Sequence, residues 1–308
     1  LMNMSGNILD GDSISTADVL QLPNPMGNMP ANLSVIPEDM DMQMTMIDVM
    51  YAPTKDLTLM MMGTYVSRDM TLGTYAAMMD RNLLGTFKTS SSDLSELTFS
   101  ALRTISDTDN SKWYAEATLQ KSLGNNDQTG LVLTPMGTEM NMILPYAMQP
   151  SDKTTRLILG LNNSRKLSEK VSWTSQARFK KVLDEKEWAY GDQLELNSWV
   201  QYQYKSALSV STRLKFVSQK DISGSNPMIM APVQTANPEN YGGDELHIGF
   251  GANYDLRSLT SKQDVFGVEI LFPIIQDKNG LQMETKHQII LGFNLSLIHI
   301  SEPTRPSS

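Results

Sequence analysis

The stretch LSVSTRLKF, from Leu208 to Phe216, alternates apolar and polar residues almost one by one. A period of two places the apolar side chains on one face of an extended strand and the polar side chains on the other. The same alternation recurs in VSWTSQARF (171–179) and LHIGFGANY (246–254). No amphipathic helical pattern of comparable length competes with it, so the sequence predicts an all-β protein.

About twelve such segments follow one another along the chain. They lie near residues 1–4, 41–52, 57–68, 94–105, 112–123, 155–165, 171–182, 193–204, 208–218, 244–255, 264–273 and 285–295. Most span about ten residues, the length that a tilted strand needs to cross a bilayer. Short links such as 52–56 alternate with longer ones such as 124–154, as in bacterial outer-membrane barrels.

The two faces of these strands suit a barrel with lipid outside and water inside. Aromatic residues such as Tyr51 and Tyr254 fall near strand ends, where an interfacial belt would lie. The polar face mixes acids with bases, which is typical of a wet lumen. We therefore predict a transmembrane, antiparallel up-and-down β-barrel of about twelve strands in a Gram-negative outer membrane, with membrane lipid as its partner.

Composition narrows the function classes. A net charge of -9 argues against nucleic-acid binding, which draws on Lys and Arg to neutralise phosphates. Cysteine is absent, which removes disulfides and thiolate chemistry. No apolar run approaches the ~18 residues of a membrane helix, so a helical membrane protein is excluded.

The two ends of the chain carry separate expectations. We expect residues 1–294 to form the barrel, with a first strand that is truncated at its N-terminal side. The run LSLIHISEPTR (295–305) resembles the translation of a sequencing-library adapter. We therefore expect 295–308 to be an artefactual tail without function.

One region resembles a known family. The segment Met42–Tyr65, MQMTMIDVMYAPTKDLTLMMMGTY, is similar to the methionine-rich opening of bacterial outer-membrane transporters in the group named for the MetA pathway of phenol degradation. Ser91–Ile105, SSDLSELTFSALRTI, also follows that group, although a serine stands where the group usually has a glycine before Asp93. The resemblance covers about a third of the chain. It implies a transport barrel with no established catalytic residues.

Methionine is the most unusual residue, since 15 of the 22 methionines precede residue 80. On two neighbouring strands most methionines stand at even positions, with Met61 as an exception. We predict that five of the even-numbered ones line the pore: Met42, Met44, Met46, Met60 and Met62. Thioether sulfur is a soft ligand suited to Cu(I), so these residues are also candidate metal ligands. Two alternatives stay open, because flexible methionines also make an adaptable apolar lining or simply pack against a plug or lipid.

Charged and polar residues of the opposite face complete the predicted pore lining. They are Glu96, Glu116, Arg156, Arg178, Lys180, Glu195, Arg213, Lys215, His247 and Glu269. Such residues form either a selectivity ring, with a basic wall of Arg and Lys facing an acidic one, or ion pairs that fill a narrow barrel.

Nothing in the sequence predicts an enzyme. His247 and His287 are the only histidines before residue 295, and neither lies in a hydrolase, metal-site or phosphate-loop motif. We expect no catalytic residues and no cofactor. The predicted function is passage of small solutes, hydrophobic ones included, with soft-metal passage and a purely structural surface barrel as alternatives. The oligomeric state is left open.

Overall fold

The computed structural model describes residues 1–27, 30–77, 81–184, 186–257 and 264–295. Within these residues, twelve strands pair in chain order and the last pairs with the first, which closes an antiparallel barrel. They are β1 (Met2–Leu9), β2 (Val35–Thr54), β3 (Leu57–Tyr75), β4 (Leu83–Asp107), β5 (Ser111–Ser122), β6 (Thr155–Lys166), β7 (Val171–Val182), β8 (Gln193–Lys205), β9 (Leu208–Gln219), β10 (Gly243–Asp255), β11 (Val265–Lys278) and β12 (Leu281–Asn294). The predicted fold is confirmed.

Short and long links alternate between the two ends of this barrel. At one end the strands are joined by 55–56, 108–110, 167–170 and 206–207. The opposite end carries the links 10–34, 123–154, 183–192 and 220–242. In outer-membrane barrels the short turns face the periplasm and the long loops face outside, so we name the two ends accordingly.

Several strand ends lie beyond the predicted ones. The first strand continues to Leu9, β3 runs to Tyr75, and β4 begins at Leu83, so the expected long link 69–93 shrinks to 76–82. The expected link 274–284 is a tight turn at 279–280. Strands β2 to β4, with 20, 19 and 25 residues, exceed the ~10 residues of a bilayer crossing and rise above it as a paired sheet. Above the membrane the sequence no longer needs a lipid-facing apolar row, and the period-two pattern fades there.

The barrel is apolar outside and polar inside. Leu159, Val200 and Phe250 expose 53%, 48% and 51% of their surfaces on the outer face. Thr118 and Gln120, which point inward from β5, are almost fully buried. A soluble protein has its apolar side chains inside and its polar ones outside, and this barrel has the reverse. The arrangement suits lipid outside and a polar lumen inside. No helix among the described residues is long and apolar enough to span a membrane.

The main apolar core lies at the extracellular end, where the long loops fold together over the barrel. Tyr146, Trp188 and Ile229 are each at most 2% exposed. The ring of Tyr146 meets those of Trp188 and Tyr241 edge-on at centroid distances of 4.9 and 6.1 Å. We call this cluster the loop plug, because it packs against strand residues such as Met70 and covers the lumen from above.

The predicted tail, 295–308, lies outside the described residues except for Leu295.

Candidate functional site: the barrel lumen

Three cavities of the lumen are lined by described residues. A periplasmic vestibule of about 1110 Å³ opens at the short-turn end, between the ends of β2 and of β8 to β12. A middle chamber of about 420 Å³ shares Gln201, Asn253, Gly267 and Gly292 with it, and neutral polar residues and glycines make up most of its lining. An upper cavity of about 340 Å³ lies towards the loop plug and shares no lining residue with the middle chamber.

Methionines form one side of this lumen. On β2 and β3, Met42 pairs with Arg68, Met44 with Val66, and Met46 with Thr64. Directly paired residues of antiparallel strands point to the same face, and Val66 and Thr64 are at most 1% exposed. The even-numbered methionines therefore share the inward face. We call the set the methionine wall: Met2, Met4, Met40, Met42, Met44, Met46, Met50, Met60, Met62 and Met70.

The methionine wall reaches from the vestibule to the upper cavity. Met46 and Met50 line the vestibule. Met60 and Met62 pair with Ser100 and Thr98 of β4, both of which are buried inside the barrel. Met42 lines the upper cavity.

Sequence reasoning missed several members of the upper cavity. Met40 and Met70 lie beyond the predicted strand ends, Met283 falls in a predicted loop, and all three line this cavity. Arg68 lines it too, although it stands at the last position of a predicted strand. Met40 and Met70 also stand at even positions, and this pattern alone could have placed both of them on the methionine wall.

An ion pair crosses the lumen wall between β5 and β7. Arg178 Nη2 donates to Glu116 Oε1 at 2.9 Å, and Thr118 donates to the same oxygen at 3.0 Å. The strand between them, β6, places Gly160 in register with both residues. A Cβ on Gly160 would lie 2.9 Å from Glu116 Oε2 and 3.4 Å from Arg178 Cγ. The glycine therefore leaves the room that the two side chains need to meet.

A second ion pair repeats this arrangement on β9 and β11. Arg213 Nη1 donates to Glu269 Oε2 at 2.9 Å across β10. Gly249 and Gly251 of β10 lie in register with Arg213 and Glu269 respectively. The Arg213 guanidinium also lies 4.6 Å from the centre of the Trp199 ring, which fixes its orientation.

The remaining predicted charges are also interleaved by sign, and the expected basic wall facing an acidic wall is not formed. Lys215 Nζ lies 3.6 Å from Glu195 Oε2. Arg156 pairs with Asp152 and donates to Ser122, and Gln120 donates to Glu96. Lys180 lies on β7 in register with Gln193 and has Glu96 and Glu195 as its acidic neighbours. Together these groups form a paired charge layer.

The lining of the upper cavity combines two kinds of residue. Met2, Met4, Met40, Met42, Met70 and Met283 line it together with Tyr190 and Tyr241. Its charged and titratable lining residues are Arg68, Lys215, Glu245, His247 and Lys278. Three cationic side chains thus face one carboxylate.

The cationic groups of this cavity differ in how they are held. Lys278 Nζ donates to Met283 O at 3.0 Å and to Thr285 Oγ1 at 2.9 Å, and lies 3.7 Å from Glu245. His247 Nε2 lies 3.1 Å from the same carboxylate. Arg68 donates to the backbone oxygen of Gln149 in the loop plug and makes no ion pair within the described residues.

Groups of the loops above the membrane have shifted pKa values. Burial raises the pKa of the Tyr190 hydroxyl and raises that of Tyr241 well above the ordinary value. Burial alone would also raise the pKa of Asp152, but the Arg156 guanidinium and the bonds from Thr154 outweigh it and leave the pKa below its ordinary range. Asp152 is therefore a charged anchor between the loop plug and the barrel.

Solved structures share this architecture. An outer membrane channel of the COG4313 group from Pseudomonas putida F1 is 12% identical, covers 95% of this chain and 91% of its own, and superposes with a TM-score of 0.54. The chain has the fold of an outer-membrane β-barrel. A FadL homologue of Pseudomonas aeruginosa (9% identity, 82% and 66% coverage, TM-score 0.44) and a TodX mutant monoaromatic hydrocarbon channel (11%, 83% and 70%, 0.43) are less similar.

No protein-family model matches the sequence, and no curated protein matches it significantly. Among the described residues no group of three His, Cys, Asp or Glu side chains is placed to hold a metal ion. His287 is the other histidine named in the sequence analysis. It lies on β12 in register with Asn3 of β1 and is not among the residues that line the upper cavity.

Proposed function

We propose that the barrel is an outer-membrane channel for small, mainly apolar solutes, which move along the methionine wall. The observation that carries the proposal is the course of that wall from the vestibule to the upper cavity. Unbranched thioether side chains adapt their shape to different apolar molecules. A wall of this kind is therefore suited to passage with low specificity.

The similarity to the Pseudomonas putida outer membrane channel supports this proposal, because that structure covers nearly the whole chain. The methionine-rich segment that resembles the phenol-degradation MetA-pathway group supports the same class of transporter. We propose membership of that group on the basis of the segment.

Entry of an apolar fluorescent probe into living cells tests the proposal. The lipopolysaccharide leaflet slows such probes, so a channel for them raises the entry rate. We expect a porin-deficient Gram-negative host that expresses the protein to take up N-phenylnaphthylamine faster than the host alone. Equal rates, at matched amounts of folded heat-modifiable protein, would overturn the proposal.

A matched pair of variants locates the route. Met62→Trp adds bulk to the inward face of β3, whereas Met61→Trp makes the same exchange at the next residue, which is 47% exposed on the outer face. We expect Met62→Trp to slow entry severalfold and Met61→Trp to leave it unchanged. Equal rates for the two variants would show that the probe does not follow the methionine wall.

Soft-metal passage is the second candidate, favoured by the number of thioethers on one face. Titration with Ag(I) compares the wild type with a variant in which Met42, Met44, Met46, Met60 and Met62 are leucine. Loss of binding in the variant would support this candidate, and equal binding would eliminate it. A structural surface barrel without transport predicts neither probe entry nor metal binding.

A further inference from the structure

The upper cavity contains a cation that has no anionic partner among the described residues. The Arg68 guanidinium lines the cavity, and within the described residues it donates one hydrogen bond, to Gln149 O. A guanidinium has five N–H donors, so several remain for another acceptor. An unpaired guanidinium in a half-buried site is costly unless an anion or water satisfies it.

The rest of the cavity lining leaves this positive charge uncompensated. Among its described lining residues Glu245 is the only carboxylate, and that carboxylate is already engaged by His247 and Lys278. Lys215 pairs with Glu195, which lies outside the lining. Once these pairs are counted, Arg68 supplies a net positive charge to the cavity.

A second polar group in the cavity also lacks a protein partner. His247 is 2% exposed, and its Nδ1 atom has no hydrogen-bond partner among the described residues. Its Nε2 atom lies against Glu245, which holds the imidazole in place and leaves Nδ1 as a buried polar atom in the wall of the cavity. This observation is independent of the charge of Arg68.

The apolar part of the cavity lining, which adjoins Arg68, suits an aromatic body. The hydroxyls of Tyr190 and Tyr241 donate to Tyr146 O and Thr235 O, both at 2.7 Å, so their polar ends are satisfied within the protein. Their rings and the surrounding methionines remain for contact with a ligand. Sulfur–aromatic contacts are favourable, and methionine adapts to the outline of a ring.

We infer that the upper cavity binds a small aromatic monoanion, with its carboxylate on Arg68 and its ring among the methionines. The cavity volume of about 340 Å³ lies at the low end of the range for ligand pockets, which suits a ligand with a single ring. Arg recognises carboxylates through paired hydrogen bonds, so it distinguishes an acid from its neutral isostere. A bare soft cation fits less well, because Arg68 is in register with Met42 and would repel it. The inference rests on the proposed function, for which it names the substrate class.

Binding of three isosteric probes to the protein in nanodiscs of neutral lipid tests the inference. The probes are benzoate, neutral benzamide and cationic benzylammonium, measured by calorimetry against empty discs. We expect benzoate to bind at least about tenfold more tightly than benzamide, and benzylammonium to bind most weakly. Equal affinities for benzoate and benzamide would overturn the inference.

Variants of Arg68 test whether this side chain binds the carboxylate of benzoate. Arg68→Gln is expected to lower benzoate affinity about tenfold and to leave benzamide unchanged, while Arg68→Lys keeps most of the preference for the acid. Arg257→Gln is the matched control, because Arg257 pairs with Asp255 at the periplasmic end and its side chain is 62% exposed. Retained benzoate affinity in heat-modifiable, folded Arg68→Gln would overturn the assignment.

Failure of this inference and failure of the proposed function are distinguishable. If the apolar probe enters cells rapidly while benzoate binds no more tightly than benzamide, the proposed channel function is supported and the inferred anion site is wrong. If benzoate binds through Arg68 but the probe does not enter faster than in the bare host, the cavity is a binding site in a barrel that does not pass apolar solutes.

Discussion

Replacing Gly160 with alanine tests whether the glycine holds open the space for the Glu116–Arg178 ion pair. The new Cβ would lie 2.9 Å from Glu116 Oε2, 3.1 Å from Glu116 Cβ and 3.4 Å from Arg178 Cγ. Ordinary contacts of this kind begin near 3.4 Å, so the carboxylate must move by several tenths of an ångström. The 2.9 Å bond to Arg178 then lengthens or breaks.

The loss of stability on breaking this ion pair depends on how exposed its two side chains are. The side chain of Glu116 is 6% exposed and that of Arg178 33%, which places the pair between a surface and a buried ion pair. Surface pairs contribute roughly 0.2–1 kcal/mol, and breaking a buried pair costs about 3–5 kcal/mol. We take about 2 kcal/mol for this pair. Alanine in a strand is favoured over glycine by roughly 0.5–1 kcal/mol, so we expect a net loss of about 1–1.5 kcal/mol.

Gly292→Ala is the matched control. Gly292 also lines the lumen, in register with Gly267, and a Cβ there meets nothing within 4 Å. This variant is expected to gain up to about 1 kcal/mol from the stiffer backbone. The measurement is the free energy of unfolding in denaturant, in the same lipid for each variant. If Gly160→Ala is as stable as Gly292→Ala, the room that Gly160 leaves for the ion pair does not contribute to stability, and the reasoning is wrong.

Three further predictions concern charge, plug and pH. Arg213→Gln leaves Glu269 without its partner at the charge layer, so reversal potentials in planar bilayers are expected to shift towards cation selectivity, and a second Glu269→Gln exchange to cancel the shift. Trp188→Ala removes a fully buried ring from the loop plug at a cost of about 3–5 kcal/mol, and single-channel current is expected to rise as the loops loosen. Asp152 has a lowered pKa, so its bond to Arg156 stabilises the loops above the ordinary carboxyl pKa of about 4 and is lost as pH falls through the lower folded value. Proteolysis of the loops is expected to speed up below about pH 4 in the wild type, and to be fast already at neutral pH and nearly independent of pH in Asp152→Asn.

The barrel was predictable from the sequence because lipid imposes a strict rule on each crossing strand. Where a strand faces lipid, its outward residues are mostly apolar, as Leu208, Val210, Leu214 and Phe216 show, and this pattern recurs in most of the strands. The rule weakens where lipid ends. Above the membrane, β4 begins at Leu83 and β3 runs to Tyr75 without a continuous apolar row, so sequence reasoning stopped these strands too early.

The lumen was less predictable, because its contacts join residues far apart in sequence. The period of two assigns Glu116 and Arg178 to one face, but not to each other. Their pairing depends on the register of three strands and on a glycine between them. Arg68 was missed for a related reason. Its role follows from what surrounds it, a loop oxygen from Gln149 and a cavity lined by methionine, and no local pattern shows either.

The distribution of charge around the barrel explains how polar and apolar linings coexist in one lumen. The charge layer occupies strands β4 to β11 and is paired almost throughout, as Arg178 with Glu116 and Arg213 with Glu269 show. Paired charges bind passing ions weakly, because their fields largely cancel at a distance. Strands β1 to β3 carry the methionine wall, which offers dispersion contacts without a strong field. The proposed route of a solute with an apolar body follows these strands on one side of the lumen. Arg68 lies at its upper end and has no ion-pair partner among the described residues, so the charge of the solute matters most there.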